Sequence, residues 1–482
     1  MLRSTCARRL ARTIPFVPAV GVLLFLFWRI LARGEVFGLG DHSAYYWPVR
    51  SLFVALVANS HGVPLWNPFL SSGQPFAANP HQAVFHPVTA LFLALPFEWA
   101  YRLQVLVPVV LLTLSGYFLA RSLDLGRAVA ACSAVAWGAG GATASLLQVL
   151  PGLLTLAPLP ALLAFAIRIG RRRRGADVLA FGLVFGLMVL GGDPPGLLLA
   201  ALLSSVGVLH GTLLAPRGTA VSPAVALSRL ALGGLLGALV GAASLIPSIT
   251  HGLKTVRATG LDERNAYAFT TPVERLAELA APGLIDVRAR DDRGVLLGER
   301  LYPGRGRPFL SSIYPGLLLV IGAAAAWTER RSPSRLWILP AAIGVVFSLG
   351  AATPVFPAAR LLPVLSGIRF PERYLLLTLV AITVAGTCGL GRLIEGDRRR
   401  LPAAAIGGAL ALLASGALAR GSVGDGAVLT TVYLRQSVLL GLGIGAIAFA
   451  ARSPRGALVR LLPAVLLAAE LGFAGRPSVG PV

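Results

Sequence analysis

Apolar runs of membrane-spanning length recur along the whole sequence. Of its 482 residues, 56% are hydrophobic, and the mean hydropathy is +0.76. A helix needs about 20 apolar residues to cross the hydrocarbon core, where every backbone polar group must bond internally. We therefore predict an all-α polytopic membrane protein with about thirteen transmembrane helices, forming one integral membrane domain over 1–482. The runs are 14–31, 100–120, 127–147, 152–169, 176–192, 196–214, 229–249, 311–328, 335–350, 373–391, 402–419, 432–451 and 458–475.

Arginine clusters fall in every second short connection between these runs. The formal net charge is +23, which in a soluble protein would suggest nucleic acid. Here the clusters are typical of cytoplasmic flanks of membrane helices, so no nucleic-acid partner is expected. The alternation predicts that the N-terminus is inside and the C-terminus outside. The main clusters are Arg121 with Arg127, Arg171–Arg174, Arg217 with Arg229, Arg330 with Arg331, Arg398–Arg400, and Arg452 with Arg455.

The predicted outer face receives the polar segments of the sequence. Residues 32–99 form a long first extracytoplasmic loop, and residues 250–310 form a second. Apolar pieces at 51–58 and 88–96 are too short to span, so we expect interfacial helices there. Two shorter segments, 191–196 and 351–372, fall on the same side. Four polar segments on one face predict a functional site at that face.

Asp41 follows the first apolar run directly, within the segment GDHSAYYWPVR. A carboxylate at the end of a membrane helix is costly unless it is solvated or used. We interpret Asp41 as a general base, and a helix cap or a solvated loop acid is the alternative. The adjacent His42 is a candidate to share the proton or contact substrate.

Aromatic and amide side chains are dense in the rest of the first loop. Planar rings stack on sugars, and amides bond hydroxyl groups, so the set suits a polyhydroxyl ligand. The alternative for the rings is the aromatic belt at the membrane interface. The candidates for substrate binding are Tyr45, Trp66, Asn67, Gln74, Asn79, His81 and Gln82.

Asp193 lies in the turn GGDPPG between two apolar runs. Prolines and glycines make a rigid turn that presents the carboxylate, either as a second acid, a metal ligand or an acceptor for a substrate hydroxyl. The alternative is a turn residue that bonds its own backbone. A divalent metal, Mg or Mn, is possible with Asp41 or Asp193 as ligand, although no spacing requires one.

The segment RFPER at 369–373 precedes a late apolar run. Arg369 and Arg373 are candidates to bind a phosphate, because guanidinium groups are bidentate donors. Glu372 is a candidate for substrate binding, or it pairs locally while the arginines anchor the interface. A second basic option follows the seventh run, at His251, Lys254 and Arg257.

Four segments resemble the YfhO-like bacterial membrane proteins of the GT-C superfamily of polytopic glycosyltransferases. They are GDHSAYYWPVR, GVPLWNPFLSSGQPFAANPHQAVFHPVTALFLALP, RFPERYLLLTLVAITVAGTCGL and LLPAVLLAAELGFAG, spread over most of the chain. The resemblance implies a GT-C-like core in the bacterial cytoplasmic membrane and a polyprenyl-phosphate-linked sugar donor used on the outer face. It further implies a cell-envelope glycan or lipid acceptor, with Asp41 deprotonating the acceptor hydroxyl in an inverting transfer.

The sequence departs from that family at two points, and two alternative functions stay open. Family members often carry a soluble segment after the last helix, whereas this sequence ends at Val482, and Asp193-Pro194-Pro195 replaces a neutral turn. A non-catalytic envelope assembly protein is one rival. A lipid-linked-sugar flippase or transporter is another, but it would place ionisable residues within the spans, where few occur.

Overall fold

The fold is almost entirely helical. A computed structural model describes residues 13–38, 40–60, 62–70, 72–216, 221–285, 296–395, 398–419, 426–452 and 458–475. Among these residues, nine helices are long and apolar enough to cross a membrane, which confirms the predicted all-α polytopic class. They are Ile14–Ala32, Phe97–Ser122, Arg127–Leu146, Leu150–Arg171, Pro194–Leu214, Pro223–Val240, Pro371–Glu395, Leu401–Ala419 and Leu429–Arg452.

Shorter apolar helices account for the remaining predicted runs. They are Gly175–Leu190, Leu317–Trp327, Pro333–Ser348 and Leu462–Gly475. Each of the predicted runs therefore contains a helix, and the total of thirteen crossings stays a prediction. The other described helical segments are short. They are His42–Tyr46, Trp47–Ser60, Pro80–Gln82, Pro87–Ala90, Leu91–Ala94, Ala242–Gly252, Glu263–Ala266, Val273–Leu279, Leu297–Leu301, Gly350–Ala352, Val355–Ala359, Pro363–Ser366, Arg398–Arg400 and Val459–Leu461.

The run predicted at 229–249 is divided in the structure. Its first helix starts earlier, because Pro223 suits the first turn and the Ser222 hydroxyl accepts a bond from the Val225 N–H at 3.4 Å. That helix ends at Gly241, which has φ −86° and ψ 4°. A second helix, Ala242–Gly252, then continues toward the predicted outer face. Apolar character alone does not mark this break.

The run predicted at 311–328 becomes helical only at Leu317. The preceding residues are non-helical and bond to a neighbouring segment: Ser145 Oγ donates to the Ser312 carbonyl at 2.6 Å, and the Gly141 N–H donates to the Tyr314 carbonyl at 2.8 Å. Non-helical backbone at membrane depth is tolerated where protein satisfies its polar groups.

A seam of glycines joins the helices Leu317–Trp327 and Leu375–Glu395. A Cβ placed on Gly389 would lie 1.8 Å from the carbonyl oxygen of Gly322, and one on Gly386 would lie 2.5 Å from that of Leu319. Only small residues allow two backbones to approach so closely, as is common between membrane helices. The helix that carries the RFPER segment is thus packed at backbone distance against its neighbour.

Ion pairs connect helix ends at the face predicted to be cytoplasmic. Arg168 pairs with Asp177 at 2.9 Å, and Arg171 pairs with Asp124 at 2.5 Å. The Gly126 N–H donates to Glu395 at 2.7 Å. The predicted site residues lie in segments at the opposite ends of these helices.

Candidate functional site

The first loop packs closely against the turn 191–196 at one glycine, Gly192. Gly192 has φ +84°, and a Cβ there would lie 1.8 Å from the Pro80 carbonyl oxygen. Only glycine fits this conformation and this approach. The Asn79 side chain accepts the His81 N–H at 3.1 Å and starts the turn Pro80–Gln82. His81 is thereby held within electrostatic range of Asp193.

Asp193 and Arg373 form a buried ion pair across 180 residues of sequence. The Arg373 Nη1 lies 2.7 Å from the Asp193 Oδ1, and the Asp193 N–H donates to Thr155 Oγ1 at 3.0 Å. Charge-assisted bonds of this length are strong when both groups are buried. The pair fixes the GGDPPG turn to the RFPER segment.

Three further arginines lie near this pair, and together with Arg373 we call them the arginine cluster: Arg257, Arg305, Arg369 and Arg373. Burial, and then the charges of the other three, lowers the pKa of Arg369. Arg257, Arg305 and Arg369 form no ion pair with the described part of the chain, whereas Arg373 is neutralised by Asp193. The cluster therefore carries excess positive charge and suits an anion such as phosphate.

Three phenylalanine rings support the arginine cluster. Ring centroids lie 4.9 Å apart for Phe269 and Phe370, and 5.1 Å apart for Phe309 and Phe370. Phe269 and Phe370 have φ of +58° and +70°, a left-handed conformation that costs about 1–3 kcal/mol each and persists only where surroundings impose it. Guanidinium carbons lie over the rings at 5.3 Å for Arg305 on Phe269, 4.5 Å for Arg369 on Phe370 and 5.1 Å for Arg373 on Phe309.

Glu372 connects the segments that carry the three phenylalanine rings. Its side chain is fully buried; Oε2 accepts the Phe309 N–H at 2.7 Å, and Oε1 accepts the Tyr302 hydroxyl at 3.2 Å. Arg275 Nε lies 3.4 Å from Oε1, and the Glu372 N–H donates to the Phe269 carbonyl at 3.0 Å. This placement differs from the predicted substrate contact, because the carboxylate is used entirely by the protein.

Asp41 is exposed and lies within electrostatic range of Arg369. Gly40 turns the chain with φ +66°, and a π-helical turn, His42–Tyr46, begins directly after Asp41. Such turns are frequent at functional sites. Within the described chain, no hydrogen bond or ion pair engages the carboxylate, so it is available to a ligand.

His42, by contrast, is an internal anchor. Its Nδ1 lies 2.8 Å from the Tyr101 hydroxyl, and its Nε2 lies 2.6 Å from the Leu147 carbonyl oxygen. Because a carbonyl only accepts, Nε2 carries the proton. Burial lowers the pKa of His42. Both nitrogens are used by the protein, which leaves neither for substrate.

Tyr45, Asn79 and Gln82 form one polar network. The Gln82 Nε2 donates to the Tyr45 hydroxyl at 2.8 Å, and the Gln82 N–H donates to the Asn79 carbonyl at 3.0 Å. Buried Arg50 donates to the Gln82 carbonyl at 2.6 Å. Tyr45 and Asn79 remain partly exposed, so these two, with His81, are the first-loop candidates that face the same region as Asp41 and Asp193.

The remaining first-loop candidates lie in a β-hairpin. Trp66–Asn67 pairs antiparallel with Gln74–Pro75, Trp66 opposite Pro75 and Asn67 opposite Gln74. Asn67 is buried, and its Oδ1 accepts the Phe69 N–H at 2.9 Å. In the part of the chain described, no hydrogen bond, ion pair or ring contact joins Trp66, Asn67 or Gln74 to the arginine cluster.

The two carboxylates predicted as metal ligands are differently placed. The described residues contain no group of three His, Cys, Asp or Glu side chains arranged to hold a metal ion. Asp193 Oδ1 is paired with Arg373, whereas Asp41 forms no ion pair within the described residues. A role of Asp41 or Asp193 as a ligand to Mg or Mn stays a prediction.

Sequence reasoning did not find Arg305 or the phenylalanine rings. Arg305 lies between Gly304 and Gly306, which both have positive φ, in the segment YPGRGRPF. The sequence feature that could have indicated Arg305 is its position between two glycines, which fixes a cation in a turn. No local pattern places Phe269, Phe309 and Phe370 together.

Comparison with known proteins gives a limited result. No protein-family model matches the sequence, and no curated protein matches it. Similar solved structures are those of ArnT from Cupriavidus metallidurans, in the apo state and bound to undecaprenyl phosphate. The apo structure is 15% identical with a TM-score of 0.49, covering 99% of this chain and 78% of that chain. The second is 15% identical with a TM-score of 0.47, covering 98% and 77%. Similarity at this level carries no conclusion about substrate or residue roles.

Proposed function

We propose that this multi-pass membrane protein is a GT-C type glycosyltransferase. It transfers a sugar from a polyprenyl-phosphate-linked donor to a glycan or lipid of the cell envelope, on the outer face of the bacterial cytoplasmic membrane. One observation carries the proposal: the Asp41 carboxylate, unengaged in the described chain, lies within electrostatic range of Arg369, which has no ion-pair partner among the described residues. The sequence motifs of the first loop and of RFPER support the same assignment.

The proposed reaction assigns proton transfer to Asp41. The acceptor hydroxyl oxygen attacks the anomeric carbon of the donor sugar, and the hydroxyl proton passes to the Asp41 carboxylate. The bond between the anomeric carbon and the phosphate oxygen breaks, and its electron pair stays on that oxygen. Attack opposite the leaving group inverts the configuration.

The arginine cluster stabilises the departing phosphate in this scheme. The donor is a phosphodiester, whereas the leaving polyprenyl phosphate gains a further negative charge as the bond breaks. Cations already fixed where that charge develops stabilise the transition state more than the bound donor. Arg369 and Arg257 are proposed for this contact, while the Asp193–Arg373 pair braces the site. Tyr45, Asn79 and His81 are proposed to orient the sugars.

A lipid-linked-sugar flippase or other transporter is the main rival. Proton-coupled transport requires ionisable groups that change partners within the spans. The buried acids in the described helices are already engaged: Glu470 accepts the Leu317 N–H at 3.0 Å, and Asp177 pairs with Arg168 at 2.9 Å. Among the described residues, these two acids therefore give no specific support to transport.

The test is sugar transfer by the purified protein in nanodiscs. A panel of polyprenyl-phosphate sugars is supplied with envelope glycan and lipid acceptors, and released polyprenyl phosphate is measured. We expect Asp41→Asn to lower turnover at least about 100-fold, the usual range for losing a general base, with donor binding retained.

Glu263→Gln is the matched control, since it makes the same chemical change at an exposed acid in the second long loop. It should leave turnover unchanged. Donor binding by the wild type without release of polyprenyl phosphate on any acceptor would reject the enzyme and favour a transporter or assembly protein.

A further inference from the structure

The first loop contains a long segment without charged residues. Between Arg50 and Glu98 the sequence has no Asp, Glu, Lys or Arg. Loops that extend into water normally carry charges, and their absence over such a length is a property of segments held at a membrane interface.

The hairpin within this segment has an inverted distribution of polar and apolar side chains. The amide residue Asn67 is 2% exposed, whereas Leu65 is 73% exposed, Trp66 54% and Phe69 78%. Val63 adds a fourth exposed apolar side chain at 49%. In a water-facing hairpin the burial would be reversed, because apolar surface is favoured inside. The medium outside this hairpin is therefore better matched by lipid than by water.

The hairpin is rigid enough to present these side chains. Phe76 is fully buried, its ring lies 6.4 Å from that of Phe53 on the helix Trp47–Ser60, and its N–H donates to the Leu65 carbonyl at 2.8 Å. Gly73, with φ +106°, lies against the indole of Trp66, where a Cβ would approach within 2.7 Å. The exposed side chains are thus fixed in direction rather than left on a loose loop.

The ends of the first loop mark the level of the interface. Arg33 lies 4.7 Å over the ring of Trp28 at the end of the first span, and Arg102 lies 4.9 Å over Trp99 at the start of the next. The Arg102 guanidinium also donates to the Gly34 carbonyl, so the two ends lie side by side. Exposed tryptophans with neighbouring arginines are typical of the headgroup region.

We propose that the hairpin residues Val63, Leu65, Trp66 and Phe69 insert into the outer leaflet of the bilayer and hold the first loop on the membrane surface. The partner is a lipid surface, continuous with the lipid around the adjoining spans. This interaction is independent of the proposed transfer reaction, and its test does not require activity.

The test is a polarity-sensitive fluorophore at the hairpin tip. Phe69→Cys is labelled with an NBD probe in a Cys6→Ser background, because Cys132 and Cys388 are buried. The protein is placed in phosphatidylethanolamine and phosphatidylglycerol nanodiscs, with and without lipids that carry a nitroxide high on the acyl chain. We expect blue-shifted emission and nitroxide quenching at least about twofold greater than at a water-exposed site.

Glu263→Cys provides the water-exposed reference, and Leu65→Cys repeats the measurement if Phe69→Cys fails to fold. Quenching equal to the reference at both hairpin positions would overturn the proposal. Blue-shifted emission that ignores the nitroxide and rises with protein concentration would also overturn it, since a second protein surface would then cover the hairpin.

Discussion

At the scale of single residues, Asp193 and Asp41 differ in their partners: Asp193 pairs with Arg373, whereas Asp41 forms no ion pair within the described residues. The Asp193–Arg373 pair at 2.7 Å occupies the guanidinium that lies deepest in the arginine cluster. The outer arginines are left without a carboxylate partner in the described residues, yet each remaining one is held by a ring or a backbone carbonyl. Two acids of the same type thus take different roles because their surroundings differ.

His86 predicts how acid affects the protein. Its ring is buried, and its Nδ1 accepts the Val88 N–H at 3.3 Å. Burial, helped by the charge of Arg50, lowers the pKa of His86 from 6.5 to about 4. An unfolded chain takes up this proton below pH 6.5, and the folded chain does not until about pH 4. The contribution of neutral His86 to stability is therefore fully present above pH 6.5. As the pH falls from 6.5 to about 4, the free energy of unfolding decreases by at most about 1.4 kcal/mol per pH unit.

We expect His86→Asn, which can still cap the turn, to flatten the decline of Tm between these two pH values, as measured by nanodisc thermal unfolding. The slope should not vanish, because burial also lowers the pKa of His81 to about 4. His251→Asn is the control at a more exposed imidazole. An unchanged slope in His86→Asn would contradict the prediction.

At the scale of elements, Glu372 joins the segment 302–309 to the start of the late span. Its carboxylate bonds the Phe309 N–H and the Tyr302 hydroxyl, and its N–H bonds the Phe269 carbonyl. Glu372 thereby fixes Phe269 and Phe309, whose rings pack against Phe370, and the Arg369 guanidinium lies over the Phe370 ring. This makes Glu372 a positioning residue for the proposed phosphate contact.

We expect Glu372→Gln to weaken donor affinity about tenfold while turnover at saturating donor is largely kept. The reason is that the arginines would shift from their positions, whereas Asp41 would not. Glu278→Gln is the matched control. Glu278 pairs with the same Arg275 at 2.8 Å but bonds the Ile285 N–H instead of the arginine-bearing segments. Both changes should lower Tm, and only Glu372→Gln should raise the donor KM. Equal effects on KM would show that Glu372 merely stabilises the fold.

The sequence predicts the helices well because hydrophobic length is a local property. It misplaces their ends where a single residue decides them, as at Gly241 and before Leu317. The site is different, since its defining contacts join distant segments: Asp193 with Arg373, or Phe269 with Phe370. Asp41 and Arg369 could be proposed from position and chemistry. The burial of His42 and Glu372 could not be predicted, because their hydrogen-bond partners are distant in sequence and no local pattern indicates them.

At the scale of the whole molecule, the charges divide the chain into two faces. The arginine cluster and both long loops occupy one end of the bundle, and ion pairs such as Arg171–Asp124 connect the other. The positive-inside rule predicts that the first end faces outward.

Cysteine labelling in intact cells tests this orientation. We expect Glu263→Cys to react with a membrane-impermeant maleimide, and Arg330→Cys to react only after the membrane is opened, each in a Cys6→Ser background. Both positions are exposed, so protein burial does not limit either reaction. Labelling of Arg330→Cys in intact cells would reverse the topology and move the proposed site to the cytoplasm.

The glycine seam between Leu317–Trp327 and Leu375–Glu395 limits how these two helices can move relative to each other. With Gly389 at backbone distance from Gly322, sliding or rotation of one helix would drive main-chain atoms into each other. Arg373 lies just before the helix Leu375–Glu395, so it belongs to a part of the fold that cannot slide against its neighbouring helix. In the proposed transfer reaction, we therefore expect opening and closing of the site to involve the loops packed against this segment rather than sliding between these two helices.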